Sequence, residues 1–129
     1  MKALILDDSR TDSYLATQVA KKYFNEVEVY GMPGEFQAAL KKGPLPDLIF
    51  MDVHIGDLHN GISELETIKE QYTAASIIPI IVVTASTDES LHKFALSRGA
   101  DAVIIKPISD AKLAPILRDL IPQLVVEGA

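Results

Sequence analysis

The sequence predicts an α/β protein, a doubly wound parallel sheet of five strands with five helices on both faces. Three observations carry that expectation. Five short runs rich in Val, Ile and Leu alternate with longer amphipathic segments, the rhythm of successive βα units. Three of the runs are apolar almost throughout, as strands covered on both faces must be. The intervening segments carry helix caps and stops as well as helical periodicity.

Strands are predicted over Lys2 to Leu6, Val27 to Tyr30, Leu48 to Met51, Pro79 to Val83 and Ala102 to Ile105. The first helix follows Ser9, whose hydroxyl can accept a bond from a first-turn N–H, and runs to about Phe24, burying Tyr14, Leu15 and Val19. Pro33 suits the first turn of the second helix, which Gly43-Pro44 stops. Gly61 opens the third, where Ile62, Leu65, Ile68 and Tyr72 share one side and Glu64, Glu66, Lys69 and Glu70 take the wetter sides. Ser86 with Glu89 has the form of a capping box for the fourth, and Gly99 ends it after Arg98. The fifth follows Ser109. Pro115 inside it lacks a backbone donor and crowds the preceding turn, so a kink or a delayed start is expected. No repeat or linker interrupts the pattern, and residues after about 122 read as a fraying end, so one domain over 1–129 is expected.

Composition narrows the function. Hydrophobic residues at 48% and charged residues at 23% support a proper core. Twelve Lys and Arg against eighteen Asp and Glu give −6, which disfavours direct binding to a phosphate backbone. The absence of cysteine excludes disulfides and thiolate sites and suits a reducing compartment. Ala3-Leu4-Ile5-Leu6 is cut off by Asp7-Asp8, too short for a signal peptide. Ile77 to Ala85 contains Pro79 and falls far below the roughly 20 residues of a membrane helix. A cytoplasmic protein without membrane contact is expected.

Helices on both faces require the winding to reverse once. In the flavodoxin-like order, 2-1-3-4-5, the first and third strands are neighbours at that reversal and open onto one crevice. Strand one ends in Asp7-Asp8 and strand three in Asp52, so three carboxylates share a rim. A hard divalent cation such as Mg²⁺ relieves their repulsion. Strands four and five end in Thr84 and Lys106, a hydroxyl and an ammonium suited to phosphate oxygens. Taken singly, Asp7-Asp8 reads equally well as a turn and helix cap, Thr84 as an ordinary strand end and Lys106 as a solvated charge before a proline. Five polar residues, each at a strand's carboxyl end, favour the joint reading.

Four segments carry a resemblance: Leu6-Asp7-Asp8-Ser9, Pro46 to Asp52, Ile78 to Ala85, and Gly99-Ala100-Asp101 leading to Lys106-Pro107. From Lys2 to about Leu120 the chain resembles the receiver domains of two-component response regulators. The resemblance implies that Asp52 accepts a phosphoryl group, with Mg²⁺ held by Asp7, Asp8, Asp52 and the backbone carbonyl of His54. It implies that Thr84 and Lys106 bind the phosphoryl oxygens, that the Lys106–Pro107 peptide is cis, and that His54 and Ser86 tune the lifetime of the modified state. The implied donor is a histidine kinase or histidine phosphotransfer protein. The output partner, or a fused output domain, is left unnamed, and a homodimer through the fourth helix, fifth strand and fifth helix is one implied arrangement. Catalysis is confined to the domain's own phosphorylation and dephosphorylation, so it is not an enzyme in the ordinary sense.

Two features depart from the family, and a third, the helix-five proline, is irregular in its own right. Val103 stands where an aromatic is usual, and the loop from Val53 to Gly61 lacks the frequent proline and is slightly longer; Pro115 inside the fifth helix, with Val103, lends support to a degenerate form. Two other readings follow. One is a degenerate receiver serving as an unphosphorylated interaction domain. The other is an aspartate-nucleophile phosphohydrolase, whose haloacid dehalogenase pattern wants strand-one acids one residue apart, whereas Asp7 and Asp8 are adjacent. A transition-metal site on His54, His59 and Asp57 is weaker than a simply solvated loop.

Overall fold

The computed structural model describes residues 1–55, 59–60, 66–68, 70 and 78–124. The strands are β1 (Lys2–Leu6), β2 (Glu26–Tyr30), β3 (Leu48–Asp52), β4 (His54–Ile55), β5 (His59–Asn60), β6 (Ile80–Thr84) and β7 (Ala102–Ile105). The helices are α1 (Arg10–Ala20), α2 (Pro33–Lys42), α3 (helical at residues 66–68 and 70), α4 (Glu89–Ser97) and α5 (Asp110–Leu120). The main sheet is parallel throughout and ordered β2-β1-β3-β6-β7, which is 2-1-3-4-5 among its own strands, as expected. A short antiparallel ribbon, β4 with β5, was not anticipated. It occupies the stretch read from sequence as a plain loop after Asp52.

β3 and β6 are buried at every position, and their alternate residues feed two separate cores. Ile49, Met51, Ile80 and Val82 join Phe36 and Leu40 of α2 and Ala95 of α4 on one face. Leu48, Phe50, Ile81 and Val83 join Ala16 and Ala20 of α1 and Leu113 and Leu117 of α5 on the other. The period of two along a strand divides the side chains, and the right-handed crossovers supply a helix layer to each face.

Several local expectations change. α1 ends at Ala20, and its buried positions are Ala16 and Ala20. Tyr14 and Leu15 remain 63% and 38% exposed, and only Val19 packs on the core, in part. Two alanines one turn apart let the helix lie close on the sheet, which rotates the larger side chains outward. Asp88, not Ser86, caps α4 and accepts from the Ser90 N–H. Ser86 instead accepts from the Asp88 N–H, so the expected capping box is replaced by a turn and a cap in series. α5 starts at Asp110, capped by Ser109, with no delay at Pro115. Pro115 lies on the exposed face, where water can satisfy the Ala111 carbonyl that loses its donor. Gly43 and Gly99 end their helices with φ of 64° and 118°, a conformation open to glycine. Gly61, Ile62, Glu64, Leu65, Lys69, Tyr72 and Asp57 lie outside the described residues.

Candidate functional site at the carboxyl rim of the sheet

Register builds the site. Leu6 pairs with Met51, so Asp7 comes level with Asp52 across β1 and β3. Asp52 pairs with Val83, which sets Thr84 one residue further along β6. Thr84 pairs with Ile105, which sets Lys106 one residue beyond β7, and the Lys106 N–H donates to the Thr84 carbonyl at 2.7 Å. The rim therefore climbs by one residue at each step away from the switch point. A lysine at the top of it can reach back over the aspartates.

Ligand oxygens of Asp7, Asp8 and Asp52 lie within 4.8 Å of one another. Asp7 and Asp52 are each 6% exposed, whereas Asp8 is exposed. Two carboxylates at that spacing repel by roughly 3 kcal/mol at an effective dielectric near 20. Lys106 offsets part of this, its Nζ lying 3.2 Å from Asp7, 3.4 Å from Asp52 and 2.9 Å from Asp12. Burial alone would push the Lys106 ammonium down, but the Asp12 hydrogen bond and the charges of Asp7 and Asp52 outweigh it and hold it above the usual lysine value. The bond from Lys106 lowers the Asp12 carboxyl below its ordinary range, against a smaller opposing effect of burial.

Thr84 is fully buried, and its hydroxyl oxygen accepts from the Ser86 N–H at 3.1 Å, leaving its own proton to donate. Asp7 accepts from the Ser9 N–H at 2.9 Å, which fixes the turn into α1. The Lys106–Pro107 peptide is cis, as the resemblance implied; a second cis peptide, Gly43–Pro44, was not anticipated. His54 stands in β4, opposite Asn60, two residues past Asp52. A crevice beside the rim is lined by Asp7, Asp12, Leu15, Asp52, Lys106 and Pro107, among others. Among the described residues, the metal-competent cluster is Asp7, Asp8 and Asp52.

Sequence reasoning gave no role to four contributors. Asp12 was not singled out, although it lies four residues after Asp8, one helical turn on. Lys112 of α5 donates from Nζ to the carbonyls of Ile105 and Pro107, both at 2.9 Å, bracketing Lys106. Asp47 and Asp101 work at the opposite end of the sheet. Asp47 accepts from the Lys2 N–H at 2.8 Å, and Asp101 accepts from the Ile80 N–H at 2.8 Å.

The sequence profile of the response regulator receiver domain matches residues 3–118. The chain belongs to that family. PilH of Pseudomonas aeruginosa is 29% identical to this receiver over 112 residues, covering 87% of the chain and 90% of PilH. The autoinducer 2 sensor kinase/phosphatase LuxQ of Vibrio vulnificus is 31% identical over 113 residues, 88% of the receiver but 13% of LuxQ. A CheY-like response regulator receiver domain protein from Methanospirillum hungatei is 25% identical, with a TM-score of 0.79 over 98% of each chain. CheY in the CheX-CheY-BeF3-Mg²⁺ complex from Borrelia burgdorferi is 27% identical, with a TM-score of 0.79 over 92% of the receiver and 87% of that chain. Receivers are signalling domains that bind Mg²⁺ at an acidic pocket, and the three rim aspartates form such a cluster here. Among the described residues no helix is long and apolar enough to cross a membrane.

Proposed function

We propose that this receiver accepts a phosphoryl group on Asp52 from a phosphohistidine protein and passes the resulting change to a partner. The observation that carries the reading is a carboxylate 6% exposed, 3.4 Å from an ammonium and grouped with two further aspartates. An Asp52 oxygen attacks phosphorus, forming the O–P bond as the P–N bond to the donor imidazole breaks; the electron pair stays on the imidazole nitrogen, which takes up a proton. Lys106 and the Thr84 hydroxyl meet the equatorial oxygens as their charge redistributes. Hydrolysis runs in the same sense, with water as nucleophile and the Asp52 carboxylate as leaving group.

Asp7, Asp8 and Asp52, with the His54 carbonyl, are the residues proposed to hold Mg²⁺. Bound there, the ion neutralises the carboxylates and polarises the phosphoryl oxygens. The donor is a histidine kinase or phosphotransfer protein, which suits a cytoplasmic location. The output path runs through Thr84 to α4 and β7, where Val103 packs partly against the core face that includes Ala95. A smaller side chain there makes the coupling a packing change without an aromatic swing. α4 presents Phe94 and Leu96, 43% and 47% exposed, and a homodimer through α4, β7 and α5 is one form the output can take.

Incubation with acetyl phosphate and Mg²⁺ should add one phosphoryl group to the wild type and none to Asp52→Asn, read by intact mass. Equal labelling of the two proteins removes Asp52 from the mechanism. No labelling of either, together with amide spectra unchanged by beryllofluoride, favours the unphosphorylated interaction domain.

A further inference from the structure

We propose that Asp12 is the resting-state counter-ion of Lys106, a positioning residue that competes with the phosphoryl group for the lysine ammonium. The inference rests on Asp52 being the phosphoacceptor. A lysine ammonium has three N–H donors and no more. Three carboxylates already face it, Asp12 at 2.9 Å, Asp7 at 3.2 Å and Asp52 at 3.4 Å. The ammonium is thus shared among three carboxylates, and it leans toward α1 and away from Asp52.

A phosphoryl group turns the Asp52 carboxylate into an acyl phosphate and places a larger negative charge on oxygens beyond it. To meet those oxygens the ammonium, which leans toward α1, moves off Asp12 or Asp7. The side chain of Asp7 is 6% exposed, so releasing it leaves a buried charge with one cation fewer. The Asp12 side chain is 36% exposed, and water can replace the lysine there at little cost. Asp12 stands on the first turn of α1, where Ser9 already caps the helix by accepting from the Asp12 N–H at 3.2 Å. Its carboxylate is therefore free of capping duty, and Lys106 is its strongest partner, with the Ser9 hydroxyl a weaker one. Filling the site transfers the lysine from Asp12 to the phosphoryl oxygens, so Asp12 raises the threshold for modification.

Beryllofluoride affinity in saturating Mg²⁺ tests this on wild type, Asp12→Asn and Asp12→Glu, with Mg²⁺ affinity measured separately. Asp12→Asn is expected to bind beryllofluoride about two- to fivefold more tightly, the range that a partly exposed ion pair supports. Mg²⁺ should bind no more tightly than to wild type, since a nearby negative charge has been lost. Asp12→Glu should restore wild-type behaviour. In the metal-free protein, the Lys106 ammonium ¹⁵N resonance should shift in Asp12→Asn and its protons exchange faster with water. Beryllofluoride binding that is unchanged or weaker in Asp12→Asn, with wild-type binding intact, overturns the Asp12 proposal alone. Absence of beryllofluoride binding by the wild type removes the phosphoacceptor reading and the competition with it.

Discussion

Lys106 faces three carboxylates within 3.4 Å, and the loss of its charge has opposite consequences for two ligands. Lys106→Met leaves Asp7 and Asp52 buried without that cation, which favours any other cation at the rim. Mg²⁺ should therefore bind about tenfold more tightly to Lys106→Met by titration calorimetry, since one unit charge a few ångströms away is worth more than 1.4 kcal/mol at intermediate dielectric. Labelling by acetyl phosphate should fall at the same time, because the phosphoryl oxygens lose their point charge. Weaker Mg²⁺ binding by the variant would show that Lys106 organises the carboxylates and does not merely oppose them. Asp7, Asp8, Asp52, Thr84 and Lys106 were legible in sequence because each closes an apolar strand. Asp12 was not, because a lone acid in a helical first turn has an ordinary use there beside the positive end of the dipole.

Elements are held in register from the end opposite the site. The Asp47 N–H donates to the Lys2 carbonyl while the Asp47 carboxylate accepts from the Lys2 N–H, and Asp101 does the same with Ile80. These contacts set the starts of β3 and β7, and the strand lengths then deliver Asp52 and Lys106 to the rim. Asp101→Ala should cost about 1.5–3 kcal/mol in urea unfolding, the value of a hydrogen bond to a charged group. Its Mg²⁺ affinity should stay within twofold of wild type; a larger loss would mean that the β7 register slips. In α5, Pro115→Ala restores a donor to the Ala111 carbonyl on an exposed face, and the gain should approach about 3 kcal/mol in the same assay. No gain would mean that the helix accommodates the ring without strain. Existence and order of the main elements followed from apolar runs and caps. The face of α1 did not, because the periodicity of its larger side chains pointed to Tyr14 and Leu15 while close packing selected Ala16 and Ala20.

The whole molecule should show a stability plateau bounded by two sets of ion pairs. The Asp12 carboxyl is lowered mainly by the bond from Lys106, and the Glu28 carboxyl mainly by the bond from Tyr30 and then Lys2. Depressed acids contribute above their unfolded values, 3.8 and 4.5, and the contribution is lost as pH falls through the folded ones. Lys106 is raised, burial opposing and the carboxylates prevailing; Tyr23 is raised chiefly by its bond to Asp110 and Tyr30 by its bond to Glu28. Raised groups contribute below their unfolded values, 10.5 and 10.0, and that stability disappears as pH rises through the folded ones. Urea midpoints should be level from about pH 5 to 9 and fall on both sides. Mg²⁺ adds to the plateau by linkage: at ten times its dissociation constant it should contribute about 1.4 kcal/mol, reversed by EDTA and absent in Asp52→Asn if that carboxylate is an essential ligand.

Local chemistry read in order along the chain determined the number and order of the main-sheet strands, the winding and the identity of the acidic rim. Apolar runs, caps and glycine stops act within a few residues of one another, so they survive in a linear text. The three-dimensional packing alone decided that Lys106 turns to Asp12, 94 positions earlier, that Lys112 braces the backbone around it, and that α1 buries alanines. Those outcomes depend on which surfaces meet once the sheet is wound, and sequence distance carries no record of that.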